Sequence, residues 1–217
     1  MKPSARLSTA ETIAIGSELL VGGRSDSNSV FIADALAAIG IEVRFKTIVG
    51  DDQSDIAGVL MTACRRAGIV IMTGGLGPTA DDCTREAVAS VTGLRLARRK
   101  EAFESMRARL AQWGRTPNRG QLRQALIPSH ATVLPNPVGS APGFALTWRS
   151  TRVFALPGVP SEMQAMMQKS VIPSLADKLD RAKSGRSRAI TRLIFHTWGL
   201  SESDVNTKLQ GLIQKRT

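Results

Sequence analysis

The chain has 217 residues, 42% of them hydrophobic and 4% aromatic, with no tyrosine. That suffices for one well-buried domain with a small appendage, built on aliphatic side chains, and it excludes wholesale disorder. A net charge of +11 admits nucleic acid, acidic lipid or a phosphorylated small molecule as partner without choosing among them, while two cysteines, Cys64 and Cys83, exclude a disulfide framework.

Residues 1–10 read as a loose tail without the apolar segment of a secretory signal. "ETIAIG" is a short strand ending at Gly16. "SVFIADALAAIG" places Val30, Phe31, Ala33, Leu36 and Ile39 at helical spacing, closed by Gly40. "IEVRFKTIVG" alternates as a strand does. Asp51 or Asp52 then caps a helix carrying Ile56, Val59, Leu60 and Ala63. "IVIMT" is a continuous apolar run, the signature of a central parallel strand covered on both faces. The order βαβαβ argues for a doubly wound α/β sheet, in which ligands bind outside the carboxyl ends of the strands.

"DDCTREAVASVTG" predicts a helix with Asp82 or Thr84 near its start, and "KEAFESMRARLAQWG" a second one. The span from Arg115 to Phe144, rich in Pro, Gly and Asn, is expected to be mostly loop. Strands are expected near Gly143–Thr147 and Val153–Leu156, then a helix from Ser161, as N-cap, to about Leu179. Beyond "DRAKSGRSRA", "ITRLIFHTWG" reads as a strand and "SESDVNTKLQGLIQ" as a capped helix. This segment is too short for its own core, so it either packs onto the main domain or opens a further one. The expected organisation is therefore a tail over 1–10, a domain over 11–178, and a linker with a partial domain over 179–217. No apolar run approaches a membrane span, and a reducing cytoplasm is the expected location.

The chemistry concentrates in "GGLGPTADDCT", Gly74 to Thr84. Gly74, Gly75 and Gly77 lack Cβ, so backbone N–H groups can approach phosphate oxygens, and the following helix offers its positive end. Asp81 and Asp82 are adjacent carboxylates. Like charges about 4 Å apart cost roughly 4 kcal/mol at an effective dielectric of 20. A divalent cation bridging carboxylate and phosphate reverses that sign. The pair therefore implies either a metal or a carboxylate held as base, once a cap is allowed for one of them. Asp51 stands to one side, and Gly16, Ser17 and Glu18 at the end of the first strand, with Thr73 at the end of the central one, join the expected ligand-binding set. "NPVGSAPGF" adds Asn136, Ser140 and Gly143. His130 and His196 are isolated. Cys83, beside carboxylates, is expected to have a raised pKa and a packing role. The basic runs Arg95–Arg123 and Lys178–Arg192 read as solvated faces or as attraction for an anionic substrate. Without aromatic interleaving, nucleic acid is disfavoured.

"IAIGSELLVGGRSDSNS", "IVIMTGGLGPTADDCTREAVA", "NPVGSAPGF" and "LPGVPSEM", in this order, resemble the N-terminal domain of the CinA family of competence/damage-inducible proteins, within the wider molybdopterin-binding (MoaB/Mog-like) fold. "TWGLSES" resembles the start of that family's KH-like segment. The resemblance implies a three-layer α/β/α domain that assembles as dimers or trimers. In some CinA proteins it is a metal-dependent ADP-ribose pyrophosphatase. In Mog proteins it binds molybdopterin and adenylylates it, with key aspartates that match Asp82 and Asp51. Leu76 and "TADD" depart from the Mog pattern towards CinA, and Arg123 matches a lysine expected near the diphosphate.

The expected function is a hydrolase of nucleoside-diphosphate-linked compounds, ADP-ribose first and FAD second, using Mg, Mn or Co held by Asp81 and Asp82. Asp81, Asp82 and Asp51 are the expected catalytic residues. The alternatives are a molybdopterin-binding or adenylylating protein and a non-catalytic binding module.

Overall fold

The computed structural model describes residues 8–182 and 197–213. Among the described residues eight strands form two sheets. The larger has the order β2-β1-β3-β8-β7-β6, with β1 Thr9–Ile15, β2 Glu42–Val49, β3 Ile69–Thr73, β6 Thr132–Leu134, β7 Gly143–Trp148 and β8 Thr151–Leu156. β1, β2, β3 and β8 run parallel, and β7 and β6 follow antiparallel. A two-stranded sheet pairs β4 Leu96–Arg98 with β5 Leu126–Pro128.

Side-chain alternation in the central strands divides the core into two layers. Val70 and Met72 of β3, with Val153 and Ala155 of β8, face the helices α2 Gln53–Arg66 and α3 Thr84–Thr92. Ile69 and Ile71, with Phe154 and Leu156, face α1 Ser27–Ala38 and α6 Pro160–Met166. Each strand feeds both layers because successive side chains leave a strand on opposite faces. The result is the expected three-layer α/β/α arrangement, with all five residues of β3 buried.

Several boundaries differ from the sequence reading. β1 starts at Thr9, inside the stretch read as tail, and Thr9 and Ala10 are buried. The span read as loop contains α5 Arg119–Arg123, β5 and β6. α5 is started by a capping box in which Asn118 and Gln121 satisfy one another's backbone N–H groups. Ser161 is not a cap: Val159 holds that position and Pro160 opens α6. A π-helical turn over Met167–Val171 separates α6 from α7 Ile172–Ala182. Most of the predicted strand over 190–199 and most of the second basic run lie outside the described residues, and Thr197, Trp198 and Gly199 at the end of that span are not in a strand. α8, Glu202–Ile213, is helical as expected.

Candidate functional site

β1, β3 and β8 end together at the carboxyl edge of the sheet, and their outgoing loops enclose a cleft of about 750 Å³. A smaller depression of about 270 Å³ adjoins it and shares Glu18, Arg24 and Gly158.

Thr84 builds the floor. Its hydroxyl donates to the Gly74 carbonyl at 2.9 Å and its N–H to the Gly75 carbonyl at 3.2 Å. All peptide bonds described are trans, so the C=O and N–H of one planar unit point in opposite directions. The N–H groups of Gly75 and Leu76 are therefore directed away from α3, and among the described residues neither donates a hydrogen bond. Gly74 and Gly75 have φ of 104° and 64°. A Cβ on Gly75 would fall onto the Thr84 hydroxyl, and one on Gly74 onto the Ile15 carbonyl. The glycines are thus required first by contact with the protein itself.

Asp82 ties the rest of the loop. One oxygen accepts from Gly77 N–H at 2.8 Å, and the other from Thr79 N–H and hydroxyl at 2.8 and 2.5 Å. Neither Asp81 nor Asp82 caps α3; Cys83 stands at that position without a side-chain capping bond, its thiol donating instead to the Asp51 carbonyl at 3.6 Å. Arg85, 1% exposed, holds the loop from beneath by donating to the Leu76 and Gly77 carbonyls at 2.8 and 3.0 Å. Burial lowers its pKa, opposed by the charges of Glu86 and Asp82. Asp81 is exposed at the cleft.

The remaining predicted residues separate into cleft and scaffold. Gly16, Glu18, Asp51, Gly74, Gly75, Gly77, Asp81, Asp82 and Ser140 line the cleft, and Thr73 lines the smaller depression. Asp52, not Asp51, caps α2, accepting from Ser54 and Asp55, which frees Asp51 to bond Ser17. Ser17 itself supports Asp51 from outside the lining. Asn136 is 5% exposed and its amide is fully used: it donates to Ala141 and Glu162 and accepts from Val138 and Gly139. It shapes the loop that carries Ser140. Gly143 lies at the start of β7, where a Cβ would meet the Ala155 carbonyl and Met166. Arg123 does not line the cleft; it is drawn off by Glu86 at 3.0 Å and the Thr79 carbonyl at 3.3 Å.

Cys83 has a raised pKa, by burial first and then by Glu86 and Asp51. Among the described residues no group of three or more His, Cys, Asp or Glu side chains is arranged to hold a metal ion.

The sequence reading passed over four participants. Arg24 is the cation that lines the cleft among the described residues. Asn28 donates to the Gly158 carbonyl at 2.8 Å and joins the start of α1 to the loop after β8. Thr84 was read only as a helix start. Arg85 carried a usable signal, a charge three residues before buried Val88 on the inward face of an amphipathic helix.

Residues 11–177 match the family model described as "Probable molybdopterin binding domain". A solved structure, the protein CinA with unknown function from Thermoplasma acidophilum, is 32% identical with a TM-score of 0.69, and the match covers 79% of this chain and 98% of that one. The chain belongs to the molybdopterin-binding domain family, in its CinA branch. A CinA-like protein from Geobacter metallireducens is 41% identical over 204 residues, 94% of this chain and 48% of the relative, so this CinA-type chain spans about half the length of that protein. The molybdopterin biosynthesis enzyme MoaB from Thermus thermophilus, 22% identical over 83% of this chain and 99% of its own with a TM-score of 0.54, shares the fold. These likenesses stand closer to the molybdopterin reading than to the expected pyrophosphatase. No helix among the described residues is long and apolar enough to cross a membrane.

Proposed function

We propose that the cleft binds molybdopterin, a pterin bearing a phosphate, with the phosphate against the Gly74–Gly77 turn. The observation that carries this reading is the pair of undonated N–H groups, Gly75 and Leu76, at the wall of a cleft of about 750 Å³. A volume of that order suits a small-molecule cofactor. The family membership supports the pterin as ligand.

The charge of the cleft bears on what accompanies the ligand. Among the described residues five carboxylates line it, Glu18, Asp51, Asp81, Asp82 and Glu162, against the single guanidinium of Arg24. An anion entering alone would meet net repulsion. A divalent cation such as Mg, Mn or Co, when bound, neutralises phosphate charge and acidifies its water. Asp81 fits such an ion because its carboxylate is exposed at the cleft. Asp82 keeps lone pairs beyond the three bonds it accepts. Magnesium sites typically take one or two protein carboxylates and complete their shell with substrate phosphates and water, so these two residues suffice without a larger cluster.

A second reading, hydrolysis of a nucleoside-diphosphate-linked compound such as ADP-ribose or FAD, is favoured by one observation. Asp81 stands at the cleft in a position to orient a water, while Asp82 is committed to the loop. Calorimetric titration with molybdopterin, and AMP release from ADP-ribose and FAD, each with and without Mg, Mn or Co, separate the two. Molybdopterin binding without AMP release supports the first reading. AMP release that disappears in Asp81→Asn supports the second. Neither binding nor release removes both.

A further inference from the structure

Trp113 is 48% exposed and lines the same cleft as the Gly74–Gly77 turn. Half-exposed indole is costly to leave in water, since its flat apolar area is what burial rewards most. The backbone that carries it is held in place. Trp113 is the C-cap residue directly after α4 Lys100–Gln112, whose end is closed by Gly114 at φ 66°, with Gly114 N–H on the Ala111 carbonyl and Arg115 N–H on that of Leu110. This double bond pattern is a Schellman closure. Four residues earlier, and so on the same helix face, Arg109 donates to the Pro137 carbonyl of the loop that carries Ser140. The helix end is thereby fastened to the cleft's own wall.

Three other aromatic faces carry a cation at close range. Arg149 lies over Trp148 at 4.5 Å, Arg66 over Phe45 at 3.8 Å and Arg152 over Phe154 at 4.9 Å. No cation covers Trp113 among the described residues. Val159 is the other large apolar side chain both exposed and lining this cleft. The cleft therefore has a polar end with free backbone donors and an apolar rim with an open π-face.

We propose that Trp113 is the stacking wall for a fused-ring heterocycle, so that the cleft selects phosphorylated ligands carrying a planar base and discriminates against ring-free phosphates. This rests on the phosphate-binding reading of the Gly74–Gly77 turn, and it names the residue that sets ligand class. Trp113 acts through contact with the ring, not through the phosphate.

The test uses the full chain with Trp148→Phe and Trp198→Phe, which leaves Trp113 as the sole indole. Fluorescence is titrated with adenosine, AMP and pyrophosphate, with magnesium present, and Kd values are repeated calorimetrically in Trp113→Ala and Trp113→Phe. Adenosine and AMP should quench the indole, and pyrophosphate should not. Trp113→Ala should weaken AMP about tenfold, equivalent to about 1.4 kcal/mol, and leave pyrophosphate unchanged. Trp113→Phe should recover most of the loss. Base–aromatic stacking is large enough to supply such a change.

Unchanged AMP affinity in Trp113→Ala overturns the proposal. So does an equal loss for AMP and pyrophosphate, which would mark a collapsed cleft. A change in sedimentation mass with no change in AMP affinity would assign the indole to self-association and also overturn it. If pyrophosphate does not bind the parent chain and AMP binds no better than adenosine, the phosphate reading falls. Stacking then still stands or falls on whether adenosine depends on Trp113.

Discussion

Ser17 and Asp51, 34 residues apart, hold one another through two reciprocal hydrogen bonds. Ser17 N–H donates to Asp51 Oδ2 at 2.7 Å, and Asp51 N–H donates to the Ser17 hydroxyl oxygen at 3.1 Å. The pair joins the loop after β1 to the loop after β2 and brings Asp51 to the cleft. Its neighbour Asp52 is spent on the α2 cap. Asp51→Ala should therefore loosen the Ser17 loop and, with magnesium present, weaken binding of a phosphorylated ligand by about tenfold, the scale of the lost Ser17 N–H bond to the charged carboxylate. Asp52→Ala should leave that affinity unchanged and lower the thermal midpoint instead. Ligand titration and thermal unfolding of the two variants check this separation.

Asp52 also predicts an acid limb. Hydrogen bonds from the Ser54 hydroxyl, then from the Asp55 and Ser54 N–H groups, hold its carboxyl below the ordinary aspartate range. A depressed folded pKa contributes stability at neutral pH that is lost as pH falls through the lowered value. Denaturant midpoints measured from pH 7 down to the aspartate range should converge for parent and Asp52→Ala as the acid is protonated.

Two glycines should respond oppositely to alanine. Gly75 has a left-handed backbone, and a Cβ there would strike Thr84. Gly75→Ala should destabilise by more than about 1 kcal/mol. Gly58 lies inside α2, where a Cβ meets open space. Gly58→Ala should stabilise by about 0.5–1 kcal/mol. Chemical denaturation of both decides it.

Arg85 is buried, and its guanidinium serves two carbonyls of the loop. Arg85→Met would leave both without donors and should cost about 2–4 kcal/mol. Lysine lacks the planar fork and should not restore it. Equal stability of parent and Arg85→Lys would refute the account.

Cys83 is held as a thiol by burial and by the charges of Glu86 and Asp51. Because the thiolate is the reactive form, alkylation by iodoacetamide near pH 8 should be slower than for a free cysteine. It should accelerate in Glu86→Gln. Mass spectrometry of the alkylated chain measures both rates.

The legible parts of the molecule were those written in local chemistry. "IVIMT" announces a strand buried on both faces because four consecutive apolar residues closed by a β-branched threonine have no other use in a βα repeat. Asp81 and Asp82 were placed at the cleft by their position after that strand. The capping box of Asn118 and Gln121 was also present in the sequence, and the surrounding Pro, Gly and Asn hid it. The two aspartates before α2 could not be told apart, since either suits an N-cap. Only Ser17, brought in by β1, decides between them. Asn136 and Arg123 carried ligand-like chemistry that long-range partners, Glu162 and Glu86, had already claimed. Thr84 was invisible because its work depends on how the chain doubles back.

That doubling back has a kinetic and selective meaning. With both carbonyls of the corner gripped by one threonine, the two amide donors are aimed before any guest arrives. Little ordering remains to be done on encounter, so affinity is not eroded by loop entropy. The same rigidity acts as a filter: a guest needing either peptide turned over must first break the grip of Thr84, and only those that accept the corner as built can bind well.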